Sequence, residues 1–119
     1  MGDHNQFGKE GEKLAVQFLR DNGYTIKHLN YRYLKAEVDI IAQHKDTLAV
    51  IEVKSRSSDA LQNIADTVTA KKIKLLVMAA DHYVSDNDLD VDVRFDIITI
   101  LKNEDNLKIE HLTDAFYHF

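Results

Sequence analysis

Asp39, Glu52 and Lys54 are three ionisable residues whose types and spacing suit metal-assisted chemistry. Glu37-Val38-Asp39 opens one apolar run and Glu52-Val53-Lys54 closes the next, with the polar loop Gln43 to Thr47 between them. Read as strands, Glu37 to Ala42 and Leu48 to Lys54 make a hairpin whose side chains alternate faces. A register that sets Asp39 opposite Glu52 and Glu37 opposite Lys54 gathers Val38, Ile40, Ala42, Ala49, Ile51 and Val53 on one buried face. A slip of one residue would drive charges into that core, so the register is well specified. The other face then carries three carboxylates and one ammonium, and carboxylates placed opposite each other repel. A divalent cation relieves the repulsion. Mg²⁺ retains several waters and needs only one or two protein carboxylates. Held there, it lowers the pKa of a bound water and neutralises charge developing on a phosphate. Lys54 beside it would position the water or stabilise the phosphate. The competing reading is a charged, solvent-facing side of a half-exposed sheet, with Glu37 and Lys54 as an ordinary cross-strand ion pair.

Gly8-Lys9-Glu10-Gly11-Glu12 supplies a further carboxylate, Glu12. Two glycines in a first helical turn cost about 1 kcal/mol each if interior. Close approach to another element or a ligand would explain them, and fraying is the alternative. The Gly-x-x-x-x-Gly-Lys-Ser/Thr spacing of a phosphate loop is missing. Asp86, Asp88, Asp90 and Asp92 lack the glycine and the terminal glutamate of a calcium loop, because Val91 and Ile97 stand there, so a solvated turn is expected. The six histidines show no metal-ligand spacing, and Ser55, Ser57 and Ser58 lack a nucleophile's context.

The elements that must position these residues follow from the pattern. Gly8 to Asp21 is predicted as a helix with a stripe of Phe7, Gly11, Leu14 and Phe18, stopped at Asn22-Gly23 by a left-handed glycine cap. Tyr24 to Leu29 is a short strand, with Asn30 to Tyr33 a turn or extended edge. After the hairpin come a polar loop at Ser55 to Asp59, an ambiguous segment at Leu61 to Val68 and a helix over Ala70 to Val84. Strands at Val91 to Leu101 and Leu107 to Leu112 flank a tight turn at Asn103 to Asn106, and Thr113 opens a terminal helical turn ending at Phe119. A helix between the third and fourth strands permits a parallel crossover, and the other links suit antiparallel hairpins. The expected fold class is α/β: a mixed five-stranded central sheet flanked by helices, as one domain over residues 1–119.

The chain has 119 residues, 45% of them hydrophobic, with no cysteine, no proline and a net charge of -5. Thiolate chemistry is excluded, and a cytoplasmic location is expected. No apolar stretch approaches a membrane span, and the N-terminus is too polar for a signal peptide. Net charge argues against a general polyanion binder, but Arg32 and Lys35, Lys54 and Arg56, and Lys71, Lys72 and Lys74 cluster.

Gly8-x-x-Gly11-Glu12-x-x-Ala15, Gly23-Tyr24, Asn30-Tyr31-Arg32, Glu37-Val38-Asp39-Ile40-Ile41-Ala42, Glu52-Val53-Lys54-Ser55-Arg56, Val68-Thr69 with Lys72, Arg94-Phe95-Asp96, Glu110-His111 and Ala115-Phe116 run in order over nearly the whole chain. Together they resemble the YraN-like bacterial family, which is similar to Holliday-junction resolvases of the PD-(D/E)xK, or restriction-endonuclease-like, nuclease superfamily. The resemblance implies a restriction-endonuclease-like fold. It also implies Asp39 and Glu52 as metal ligands with the Val53 carbonyl as a third oxygen, and a catalytic role for Lys54. Glu12 matches the first-helix carboxylate of such folds, and Lys72 would face the same cleft. Two positions depart from the pattern: Ala36 stands where a glycine usually precedes the Glu-x-Asp motif, and no Phe-Gly element follows Arg56.

The expected function is Mg²⁺- or Mn²⁺-dependent hydrolysis of DNA phosphodiester bonds by an endonuclease, with branched repair or recombination intermediates as one substrate class. Catalysis falls to Glu12, Asp39, Glu52 and Lys54. Arg32, Arg56, Lys71, Lys72 and Lys74 would contact backbone phosphates of the DNA partner. A homodimer would suit a branched substrate. The alternative is a non-catalytic nucleic-acid or protein-binding module that retains the nuclease fold.

Overall fold

Two neighbouring segments carry apolar residues at consecutive positions, and almost all are inaccessible: Ile40, Ile41 and Ala42, then Leu48, Ala49, Val50 and Ile51. A sheet built that way must be covered on both faces. The computed structural model, which describes residues 2–57 and 68–116, arranges this with one helix on each face. The order is α1 (Gly2–Asp21), β1 (Thr25–Tyr33), β2 (Ala36–His44), β3 (Thr47–Ser57), α2 (Ala70–Asp86), β4 (Asp92–Asn103) and β5 (Asn106–Leu112). The five strands lie in chain order, with β3 and β4 parallel and the other pairs antiparallel. This is the mixed five-stranded α/β sheet expected from the sequence.

Helix α1 covers one face, where Ala15 and Leu19 meet Ile40, Ala42, Ala49, Ile51, Ile98 and Ile100. The Phe7 side chain of the expected stripe lies outside the described residues. A Cβ at Gly11 would collide with Ser55 Oγ and touch Ile100, so close approach to β3 accounts for this glycine. Gly8 faces open space. Because the helix begins at Gly2, both glycines are interior rather than in the first turn. Gly23, at φ 89°, ends α1 as expected, with Tyr24 N–H donating to Leu19 O and Gly23 N–H to Arg20 O.

Helix α2 covers the other face, packing Leu76, Ala79, Ala80 and Tyr83 on Ile41, Leu48, Val50, Phe95 and Ile97. Thr69 caps it: its side chain accepts the Lys72 N–H at 3.1 Å, satisfying one of the free donors of the first turn.

Several boundaries differ from expectation for physical reasons. Asn30 to Tyr33 continues β1, because Tyr31, Arg32 and Tyr33 find partners in Val38, Glu37 and Ala36. Ser55 to Ser57 continues β3, because β4 is long enough to pair as far as Lys102. Asp59 and the segment Leu61 to Thr67 lie outside the described residues, while Val68 is buried against α2's face. Thr113 and Asp114 form a turn without helix through Phe116; the expected end at Phe119 lies outside the described residues.

The predicted hairpin register is the observed one, with Ile40 opposite Ile51 and Ala42 opposite Ala49. Its continuation is not. The ladder stops at Ile40–Ile51, so the cross-strand partnership expected between Glu37 and Lys54 is not made. Val38 also leaves the expected face and packs with Ala36, Ile41 and Val50 under α2, while Ile40 packs under α1. Residues of the same parity on opposite faces mean that the pleat is broken between them, at Asp39. Asn30, which the β1 register sets against Asp39, has φ 53° and drops out of that ladder.

Candidate functional site

The break in β2 opens a fork between β2 and β3, and the expected carboxylates line it. Asp39 takes the place of a ladder partner: its Oδ2 accepts the Val53 N–H at 2.8 Å. In an extended strand a residue's N–H and C=O point to the same edge, so the Val53 carbonyl also faces the fork. Glu52 and Lys54 follow the parity of Leu48 and Val50 and stand on the α2 side, where Arg56 joins them. Glu52 is only 4% exposed. That is far from the solvent-facing charged side of the competing reading. Nor does Glu37 pair with Lys54; it holds Arg32 at 2.9 Å on the exposed edge.

Lys72 reaches down from the first turn of α2 to within 3.5 Å of Glu52 Oε1. Yet Glu52 Oε1 has no hydrogen-bond donor among the described residues. Leaving such an atom buried and unsatisfied ordinarily costs about 1–3 kcal/mol or more. The electrostatics reflect this crowding. Burial and then the charge of Asp39 push the Glu52 carboxyl up to about 7, against the pull of Lys72 and Lys54. Burial also raises Asp39, opposed by the Val53 N–H and Lys72. Glu12 is raised by burial and by Asp39 and Glu37, with an Asn30 side-chain hydrogen bond acting against the shift. The Asp39 charge thus acts on both Glu12 and Glu52.

The donor set fits a hard divalent cation. Two carboxylates, one with an unsatisfied oxygen, and a backbone carbonyl suit Mg²⁺ or Mn²⁺, which complete their shell with water. Among the described residues no group of three or more His, Asp or Glu side chains is placed to hold a metal ion, so only two side-chain carboxylates enter this donor set. Lys54 and Lys72 bracket the carboxylates with positive charge.

The basic residues separate. Arg56 follows the face of Glu52 and Lys54, its Nη1 donating to Ser55 O at 2.9 Å. Arg32 is exposed at the sheet edge. Lys71 and Lys74 are exposed on α2, turned away from Lys72 by the 100° helical step.

Two polar features are not visible in the sequence pattern. Thr99, 2% exposed, pairs in register with Lys54, and its Oγ1 also lacks a hydrogen-bond partner among the described residues. Only knowledge that β3 and β4 are parallel would have placed it. On the α1 face, fully buried Asp96 accepts from Arg94 Nε and Nη2 and from the Asp114 N–H, and bonds His111 Nε2 at 2.7 Å. Burial pushes the Asp96 carboxyl up, but these bonds outweigh it and hold it below the usual range. Arg94 also donates to Tyr24 OH at 2.6 Å. This saturated network ties β5 and the chain after it to β4, and it accounts structurally for the Arg94-Phe95-Asp96 and Glu110-His111 motifs. The Arg-x-Asp spacing along one strand face was the legible signal.

Fold and site together define a two-helix, mixed-sheet α/β domain with a carboxylate and lysine site where the sheet forks. The chain belongs to the uncharacterised protein family UPF0102, whose model matches residues 11–100, the YraN-like family to which the motifs pointed. It is 55% identical over 119 residues to the UPF0102 protein of Christiangramia forsetii, covering 100% of both chains. It is 50% identical to UPF0102 protein FP2501 of Flavobacterium psychrophilum, again covering 100% of both. A UPF0102 protein of Phocaeicola vulgatus is 44% identical over 98% of this chain and 97% of its own. The crystal structure of SSO0001 aligns with 90% of this chain and 50% of its own at 16% identity and a TM-score of 0.33, a likeness too slight to bear on function. No helix among the described residues is long and apolar enough to cross a membrane.

Proposed function

We propose that this protein is a Mg²⁺- or Mn²⁺-dependent endonuclease that hydrolyses DNA phosphodiester bonds at the β2–β3 fork. The observation that carries the reading is Glu52: a carboxylate 4% exposed, beside Asp39, whose Oε1 has the Lys72 ammonium at 3.5 Å and no closer donor among the described residues. A structural carboxylate in this same fold looks different, because Asp96 is saturated with donors.

Asp39, Glu52 and the Val53 carbonyl would hold the cation. Bound there, it supplies charge neutralisation at the scissile phosphate and a more acidic water. Lys54 orients the attacking water and stabilises charge on the phosphate. Glu12 hydrogen-bonds water at the mouth of the fork. Lys72 and Arg56 hold the phosphates on either side of the reacting one. Arg32, Lys71 and Lys74 lie on the rim and contribute long-range attraction. A branched repair or recombination intermediate is the substrate class proposed, bound in the cytoplasm by a homodimer that presents two such sites.

The test is Lys54→Met, which keeps the stem and removes the charge. Single-turnover cleavage in Mn²⁺, on single-stranded, duplex, flap and four-way substrates, should fall about a hundredfold or more, the scale for losing one well-placed electrostatic group. Metal binding and most of the DNA affinity should remain. Cleavage at the parental rate would remove Lys54 from the chemistry. Absence of cleavage by the parent, with metal binding confirmed, would favour the binding module instead.

A further inference from the structure

Beside the fork, on the α1 side of β1, lies an open groove of about 460 Å³. Lys9, Lys13 and Arg20 stand along its α1 wall, and Leu29 from β1 gives it an apolar surface, 45% exposed. Glu12 and Asn30 also line it. Asn30, which the β1 register sets against Asp39, brings the groove to the edge of the fork.

The charges in the groove run against those of the whole chain. The protein carries -5 overall, yet this groove gathers three cations against one carboxylate. Among the described residues none of the three cations makes an ion pair, although acidic partners abound on the surface. From Lys9 to Arg20 the helix rises about 16 Å at 1.5 Å per residue. Cations spaced along an open groove with an apolar surface fit a sugar-phosphate backbone whose sugars and bases rest on the leucine.

We infer that this groove binds a single nucleic-acid strand, the one that leads away from the phosphodiester held at the fork. Lys9, Lys13 and Arg20 contact successive phosphates, and Leu29 supports a sugar or base face. The inference rests on the proposed nuclease reading, and it gives that reading a direction: the substrate must have a single-stranded arm on the α1 side. Continuity with the fork favours a nucleic-acid strand over an acidic peptide, which would have no reason to end at a cluster of carboxylates.

The experiment uses the full chain in EDTA, so that binding is read without cleavage. Fluorescence anisotropy gives Kd and its salt dependence for a blunt duplex and for the same duplex with an oligothymidine arm. Lys9→Gln, Lys13→Gln and Arg20→Gln are combined, a change confined to exposed side chains, and thermal melting verifies the fold. The armed substrate should lose about tenfold in affinity and its log–log salt slope should become shallower by about 2, at roughly 0.7 per single-strand phosphate contact. Blunt-duplex binding should stay at the parental value. An unchanged Kd and slope for the armed substrate would overturn the groove assignment, even if the parent cleaves DNA. Arm binding through these cations in a parent that cleaves nothing would uphold the groove and discard the nuclease reading. Equal competition by a poly-glutamate peptide of the same charge would overturn the choice of nucleic acid.

Discussion

Glu52 sets the most direct expectation at the level of a single residue. Its carboxyl lies at about 7 in the folded chain against an ordinary value of 4.5. Between those values the folded state binds more protons than the unfolded state, so stability falls as pH rises through that window and levels off above it. At about 1.4 kcal/mol for each pH unit across the window, the loss is on the order of a few kcal/mol. Glu52→Gln should flatten this pH profile and melt higher than the parent near pH 8. Excess Mn²⁺ should stabilise the parent at pH 8 and leave the variant nearly unmoved. Superimposable melting curves for the two proteins, with and without Mn²⁺, would refute the site. The nearness of Asp39 to Glu52 was legible because the hairpin register that leads up to them, Ile40 opposite Ile51, is a local fact of sequence. Thr99 was not, because its meaning depends on β4 lying beside β3, and Asp96 was legible only as a neighbour of Arg94, because its bonds to His111 and Asp114 depend on β5 returning to β4.

Among the elements, the N-terminus of α2 is the part that aims a cation at Glu52. Thr69 fixes where that helix starts, and the start fixes where Lys72 points. Thr69→Ala should cost about 1 kcal/mol, as lost caps do, and Thr69→Ser should restore it. The alanine variant should also weaken the Lys72–Glu52 ion pair, so its stability should fall more steeply with pH than the parent's. An alanine variant with parental stability and parental pH profile would show that the cap does not govern Lys72. The helices, the five strands and the hairpin register could be read from periodicity and turn residues. The face of Val38 could not. Alternation assumes an unbroken pleat, and the break at Asp39 is accompanied by a positive φ at Asn30 across the sheet, outside the reach of a local pattern. The lengths of β1 and β3 were likewise set by their partners rather than by their own residues.

For the molecule as a whole, distribution of charge outweighs its sum. A chain at -5 still sets Lys54, Arg56 and Lys72 about the fork and Lys9, Lys13 and Arg20 along the α1 groove, while its acidic residues at Asp81, Asp86, Asp88, Asp90 and Asp92 lie on and beyond the later turns of α2. DNA affinity should therefore fall steeply with salt despite the acidic total. Arg56→Gln with Lys72→Gln should weaken binding of every substrate and flatten the log–log slope by about 1.5 to 2, at roughly 0.9 per duplex phosphate contact. A parental slope in that double variant would place the contact surface elsewhere.

The Val53 amide has a use outside the reaction. Its proton sits on the Asp39 carboxylate rather than in a sheet ladder, at 2.8 Å. A hydrogen bond to an ionised carboxylate is shorter and stronger than one to its neutral form. The ¹⁵N-resolved chemical shift of this one amide should then move with the ionisation of Asp39. It should jump when a diamagnetic Mg²⁺ displaces the proton equilibrium, and stay still in Asp39→Asn. A single resonance in the middle of the protein thus becomes an internal meter of site occupancy, readable with no substrate added.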